Sequence, residues 1–201
     1  VKNFSHPSDI LSTGFGQSSS VTALQMVQAY SAIFNDGVMM RPYVVEKIVD
    51  SYSNETIKSW TSEEVGQPIS AETAEYVREL MGRVVSEEYG SGSRYAMEDV
   101  DVIAKTGTGQ IAGENGYDDE VYTSSVMMAA PADDPKVMVY YCFVSKNIID
   151  FDEEPIKNVF KEALIAANVT SSQSSSDTQE QTQDSGENSE KWNSYEMPVL
   201  V

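Results

Sequence analysis

Lys105-Thr106-Gly107-Thr108-Gly109-Gln110 sets one cation among hydroxyls and glycines. An ammonium and hydroxyls can grip an anion, and small residues let an extended substrate approach the backbone closely. The run Asp99 to Ala104 comes just before it, with Val100, Val102 and Ala104 alternating with Asp99, Asp101 and Ile103. That period of two predicts a strand with two different faces, with Lys105 near its end. The stretch therefore reads as the edge of a site for a peptide or an acyl compound bearing a carboxylate. A strand ending in a Gly-rich turn with an exposed lysine fits the bare pattern equally well.

Two nucleotide readings fail. A dinucleotide fingerprint needs G-x-G-x-x-G opening a helix, but Gly107 and Gly109 are followed by Gly113, one residue too far, and then by the polar stretch Glu114 to Glu120. A phosphate loop needs its lysine after the glycines, and Lys105 precedes them. Cys142 is the single cysteine and lies in an apolar run, so it is expected to be buried and inert, with no disulfide inside the chain. His6 is the single histidine, and no metal or cofactor is expected.

The chain has 201 residues, of which 40% are hydrophobic and 9% aromatic, enough for one sizeable core. A net charge of -19 with only 13 Lys and Arg argues against a nucleic-acid partner and disfavours anionic membrane surfaces. The charge reads first as a well-solvated surface. The longest apolar region, Val126 to Val144, is interrupted by Pro131 and the turn Ala132-Asp133-Asp134-Pro135, so no transmembrane helix is expected. With Val1 at its start and no signal peptide, the chain reads as a piece of a longer protein.

Three helices should position the motif. Thr22 and Gln25 have capping-box spacing, and Leu24, Val27, Tyr30, Ile33 and Phe34 follow at helical spacing up to Asn35-Asp36-Gly37. A second helix starts after an N-cap at Ser70, turns Val77, Leu80, Met81, Val84 and Val85 to one face, and ends near Gly90. A third starts at Asp152, with Pro155 in its first turn, and buries Ile156, Val159, Phe160, Ala163 and Leu164. Tyr43 to Val49 and Glu55 to Trp60 read as a hairpin across Ser51 to Asn54. Asp99 to Ala104, Val121 to Ala130 and Val137 to Ser145 read as an antiparallel set joined by short loops. The expected class is α+β, an antiparallel sheet packed by helices. Three segments follow: a domain portion over 1–168, an acidic Ser/Gln-rich linker over 169–191, and a hydrophobic restart over 192–201.

Lys105-Thr106-Gly107-Thr108 resembles the lysine-threonine-glycine motif that penicillin-binding proteins and serine β-lactamases carry on an active-site strand. Gly14-Phe15-Gly16-Gln17, then Val21-Thr22-Ala23-Leu24-Gln25-Met26 and Asn35-Asp36-Gly37-Val38, resemble the segment preceding that motif in penicillin-binding transpeptidases. Ala129-Ala130-Pro131-Ala132 is similar to the turn between the two strands that follow it. Tyr195 to Val201 is similar to the start of a PASTA module, as found after class B division transpeptidases of Gram-positive type.

The resemblance implies a partial penicillin-binding transpeptidase or serine β-lactamase-like fold, and D,D-transpeptidation of peptidoglycan stem peptides through a serine acyl-enzyme. β-Lactams would acylate that serine. On this resemblance Lys105 supplies positive potential at the substrate carboxylate and to proton transfer, while Thr106 and Thr108 offer it hydroxyls. The Thr108 N–H forms half of an oxyanion hole, Gly107 keeps the strand face open, and Gln110 extends the edge that pairs with ligand. The family's membrane anchor, an N-terminal helix placing the domain on the outer face of the cytoplasmic membrane, would lie outside this chain.

The departures are as specific as the matches. No S-x-x-K occurs, so the nucleophile is missing, and the only Ser-x-Asn, Ser145-Lys146-Asn147, stands after the lysine strand instead of before it. The expectation is that both absent motifs precede Val1 and that the N-terminal portion of the same domain is a required partner. A noncatalytic peptidoglycan- or β-lactam-binding sensor fragment is the alternative. This chain alone is predicted to be inactive.

Overall fold

The computed structural model describes residues 7–14, 16, 19–113, 116–147 and 151–169. Its elements are α1 (Pro7–Thr13), α2 (Ala23–Phe34), β1 (Met39–Met40), β2 (Lys47–Val49), β3 (Thr56–Ser59), β4 (Glu64–Gly66), α3 (Ala71–Ser86), β5 (Ile103–Gly113), β6 (Gly116–Ala130), β7 (Val137–Lys146) and α4 (Glu154–Ala166), with a 3-10 turn at Ser93–Tyr95 before β5. The main sheet runs β5-β6-β7, antiparallel throughout. The small pairs β1-β4 and β2-β3 stand apart from it.

The middle strand organises the rest. Val126 to Ala130 are at most 1% exposed, so both faces of β6 must be covered by something apolar. On one face Ala104, Val126, Met128 and Val139 pack against Ile156, Phe160 and Leu164 of α4. On the other, Ile103, Met127 and Ala129 pack against Phe34 of α2 and Met81 of α3, with Tyr30, Ile33 and Val77 beside them. The result is a helix–sheet–helix sandwich whose two cores are separated by the pleat of the strands.

Local chemistry sets the ends of the helices. Thr22 accepts from the Gln25 N–H at 3.2 Å while the Gln25 side chain accepts from the Thr22 N–H at 2.9 Å, the reciprocal bonds of a capping box. α4 ends where Asn168 takes φ 56, and the Val169 N–H reaches back to the Leu164 carbonyl at 2.9 Å. Val169 packs on the same core as Leu164. Arg78 of α3 donates to the Ile33 carbonyl at 2.7 Å and pairs with Asp36 at 2.9 Å, which pins α3 to the C-terminal end of α2. Ser31 ties β1 to α2 by accepting from the Met40 N–H.

The α+β class, the antiparallel meander and the three main helices are as expected. Several boundaries are not. Asp99 to Val102 are not strand; β5 begins at Ile103 and runs through every glycine of the motif, so no Gly-rich turn follows Lys105. Pairing with β6 holds those glycines extended. β6 begins at Gly116 instead of Val121, and α3 ends at Ser86 instead of near Gly90. α4 begins at Glu154, because Asp152 stays outside and accepts from the Glu154 N–H at 3.0 Å. Leu80 and Val159 lie on helix faces expected to be buried yet are 40% and 43% exposed. The β2-β3 hairpin is shorter than its sequence run, and Asp50 accepts the Ser53 and Tyr52 N–H groups in its turn, which lowers the Asp50 pKa.

Cys142 is exposed, contrary to expectation. It shares a sheet face with Met138 and Tyr140, but α2 and α3 reach only those two residues, so the far half of that face stays open. Among the described residues no helix is long and apolar enough to cross a membrane. Residues 170–201, which include most of the expected linker and the expected hydrophobic restart, lie outside the described residues.

Phe160 is fully buried where α4 meets the sheet. Phe160→Ala should cost about 3–5 kcal/mol of stability, read as a lowered denaturant midpoint.

Candidate active site

β5 is an edge strand of the main sheet, so one side of its backbone has no strand partner among the described residues. An open edge of this kind can accept an extended peptide by main-chain pairing. Register fixes which side chains stand on which face. Lys105, Gly107 and Gly109 pair with Met127, Ser125 and Thr123 and follow Ile103 onto the α2 face. Thr106, Thr108 and Gln110 pair with Val126, Ser124 and Tyr122 and follow Ala104 onto the α4 face. The ammonium and the two hydroxyls thus leave the strand on opposite sides and share only its edge.

A cavity of about 780 Å³ wraps that edge. Lys105 through Ile111 form one wall, and Gly14, Gly16, Ser19 and Val21, from the segment between α1 and α2, form the other. The two motif regions are about ninety positions apart in the sequence, yet they line one space. Thr123, Ser125, Met127 and Tyr140 make its floor, and Tyr30 closes the α2 side. Among the described lining residues Lys105 is the only charged group, in a chain whose net charge is -19.

All five residues assigned from sequence, Lys105, Thr106, Gly107, Thr108 and Gln110, therefore meet at this cavity. Lys105 Nζ folds back to donate to the Thr106 carbonyl. The Thr106 hydroxyl lies 2.7 Å from that of Ser91, in the loop after α3. Gly107 is also constrained from within the sheet: a Cβ there would stand 2.7 Å from Ser125 Oγ. A side chain at this position would require the Ser125 hydroxyl to move aside. Ser125 in turn hydrogen-bonds Tyr140, whose pKa is raised chiefly by burial. Tyr30 is raised by burial and by the proximity of Tyr140.

Ser125, Tyr140, Tyr30 and Ser91 were not legible as site residues. The first three sit in apolar runs read as core, and Ser91 in a short Gly/Ser loop with no periodicity. Of the Gly14-Phe15-Gly16-Gln17 motif, Phe15 and Gln17 lie outside the described residues. Ser145-Lys146-Asn147 stands at the far end of β7, and the Ser145 hydroxyl donates to the Asn147 carbonyl. Neither Ser145 nor Asn147 lines the cavity.

Residues 1–166 match the family described as the penicillin binding protein transpeptidase domain. The chain belongs to that family. Stage V sporulation protein D of Bacillus subtilis is 36% identical over 134 residues, 67% of this chain and 20% of that protein. Penicillin-binding protein PbpB of Mycolicibacterium smegmatis is 32% identical over 131 residues, again 20% of its length. This transpeptidase chain thus spans about a fifth of the length of these curated relatives. Among solved structures, the D,D-transpeptidase domain of a peptidoglycan glycosyltransferase from Eggerthella lenta superposes with TM-score 0.59 at 32% identity, over 73% of this chain and 32% of that one. Penicillin binding protein 3 of Mycobacterium tuberculosis complexed with aztreonam gives TM-score 0.65 at 26% identity, over 77% of this chain and 37% of that one.

Two predictions concern the floor of this cavity. Gly107→Ala should lower stability by about 1–3 kcal/mol through overpacking, and adding Ser125→Ala should recover most of the loss in a thermal melt. The raised tyrosines favour their protonated forms in the folded state. Their contribution is fully present below the ordinary phenol value of about 10 and is lost as pH rises through the raised values. Denaturant midpoints measured across that range should fall, and less steeply in Tyr140→Phe.

Proposed function

We propose that this chain forms the strand side of a D,D-transpeptidase active site in a class B penicillin-binding protein, with the serine nucleophile supplied by the upstream portion of the same domain. The observation that carries the reading is Lys105, the sole charged group among the described residues lining a cavity on an open strand edge, facing Gly14, Gly16, Ser19 and Val21. A positive charge beside a strand edge that no other strand pairs with among the described residues suits a peptide ending in a carboxylate, which is the shape of a stem peptide and of a β-lactam.

In this reading Lys105 draws the carboxylate and stabilises charge during proton transfer, Thr106 and Thr108 donate hydroxyl hydrogens to that carboxylate, and the Thr108 N–H holds the oxyanion. Gln110 extends the pairing edge. The serine attacks the penultimate D-alanine carbonyl, D-alanine leaves, and the acyl group passes to the amine of a neighbouring stem peptide. The upstream portion would pack on the uncovered half of the sheet face, beside Lys105 and Gly107, which explains why polar and apolar side chains there lie open. Similarity to relatives such as peptidoglycan D,D-transpeptidase PbpA of Mycolicibacterium smegmatis supports the activity. The division role, the Gram-positive setting, the linker over 169–191, the PASTA-like start over 192–201 and an N-terminal membrane anchor on the outer face of the cytoplasmic membrane belong to the same proposal, on the sequence resemblance.

The test uses the full-length protein and a fluorescent penicillin. Covalent labelling of the wild type is expected, and Lys105→Ala should slow acylation on the order of a hundredfold while circular dichroism stays unchanged. Labelling at the wild-type rate in that variant would remove Lys105 from the site.

A further inference from the structure

Ser91 belongs to none of the motifs, yet its hydroxyl stands 2.7 Å from that of Thr106. The loop carrying it is tightly held. The Gly90 N–H donates to the Glu87 carbonyl at 2.8 Å, the Gly92 N–H to the Val84 carbonyl at 3.0 Å, and the Tyr95 N–H to the Gly92 carbonyl at 2.9 Å. Gly92 is buried, and a Cβ there would stand 2.9 Å from Val84 Cγ1 and 3.6 Å from the Ala104 Cβ. The loop is thus seated against both the end of α3 and strand β5. Glycines on either side of Ser91 permit this close approach, and the backbone bonds fix where the serine hydroxyl can reach.

We infer that Ser91 is a positioning residue that sets the direction in which Thr106 donates its hydrogen, and so strengthens the site's preference for ligands with a free carboxylate. This rests on the proposed role of Thr106 above. Each hydroxyl has one hydrogen to donate and lone pairs to accept with. Once an anion accepts from Thr106, the remaining Ser91–Thr106 contact has one polarity: Ser91 donates to Thr106 Oγ1, and Thr106 donates to the carboxylate. No proton changes owner. Donation into Thr106 polarises its O–H bond and strengthens what it offers the anion. A neutral ester in place of the carboxylate gains much less from the same chain, because the charge-assisted bond is the one that is strengthened.

The experiment compares a β-lactam with its carboxylate methyl ester on the full-length protein, reading the second-order acylation constant by intact-mass spectrometry. Wild type is expected to favour the acid. Ser91→Ala should lower the acid's constant about fivefold and leave the ester's nearly unchanged. Ser91→Thr should restore the acid's constant, and Ser91→Ala should have no further effect in a Thr106→Ala background. Equal slowing of acid and ester, or no slowing of either, would overturn the inference while the transpeptidase reading stands. A wild-type protein acylated by neither ligand would overturn both.

Discussion

Both faces of β6 are dry from Val126 to Ala130, and that requirement dictates where everything else lies. A central strand buried on both sides needs apolar cover on each, which α4 supplies on one face and α2 with α3 on the other. The two layers are not equivalent. α4 follows β7 directly and lies back over the sheet it has just left, whereas α2 and α3 come from earlier in the chain and are bound to one another by Arg78. With α2 fixed at one end of the sheet, the segment before it is delivered to the edge of β5. The cavity is therefore a consequence of how the core is covered, and the two motif regions meet because the same helix serves both.

Coverage also stops partway. On the α2 face the helices reach Met138 and Tyr140, and past them Cys142 and Val144 are exposed while Lys105, Gly107 and Ser125 line open space. A half-covered face next to an unpaired edge has a reactive side and a pairing side within a few ångströms of each other. Alternation along β5 then distributes the chemistry, the ammonium to the open face and the hydroxyls to the α4 face. On the proposed function, a ligand at the edge meets both sets, because Lys105, Thr106 and Thr108 line one cavity there. In that reading the architecture suits an extended ligand with a terminal anion.

The elements with strong local signals were legible. Thr22 and Gln25 announce the start of α2, Ser70 that of α3, and alternation gives β6 and β7. What failed did so for tertiary reasons. Asp99 to Val102 alternate like a strand, yet no strand pairs with them among the described residues, whereas Gly107 and Gly109 carry turn signals but are held extended by Ser125 and Thr123 across the ladder. Pairing overrides propensity in both directions. Cys142 reads as core because its neighbours are apolar, and only the reach of α2 and α3 decides otherwise. The motif residues were found through their types, but Ser91, Ser125 and Tyr140 are defined by proximity alone, across 15, 18 and 35 positions from Thr106, Gly107 and Lys105. No local pattern encodes such distances.

The resting position of Lys105 bears on how an anion would enter. Its ammonium is occupied by a neutral carbonyl, that of Thr106, on its own strand. That bond has one charged partner, whereas a carboxylate would supply a second charge and add the attraction of an ion pair. An arriving carboxylate therefore outcompetes the carbonyl, and the difference grows as the cavity is closed and water is removed. Because no other charged side chain lines the cavity among the described residues, nothing there competes for the anion or repels it. The surrounding acidity sharpens the point: with 32 Asp and Glu elsewhere, long-range attraction toward this protein is absent, and screening over about 10 Å confines the favourable field to the site. On the proposed function, selection then depends on the strand edge, where one ammonium and a pair of hydroxyls would reward a carboxylate placed at the end of an extended chain.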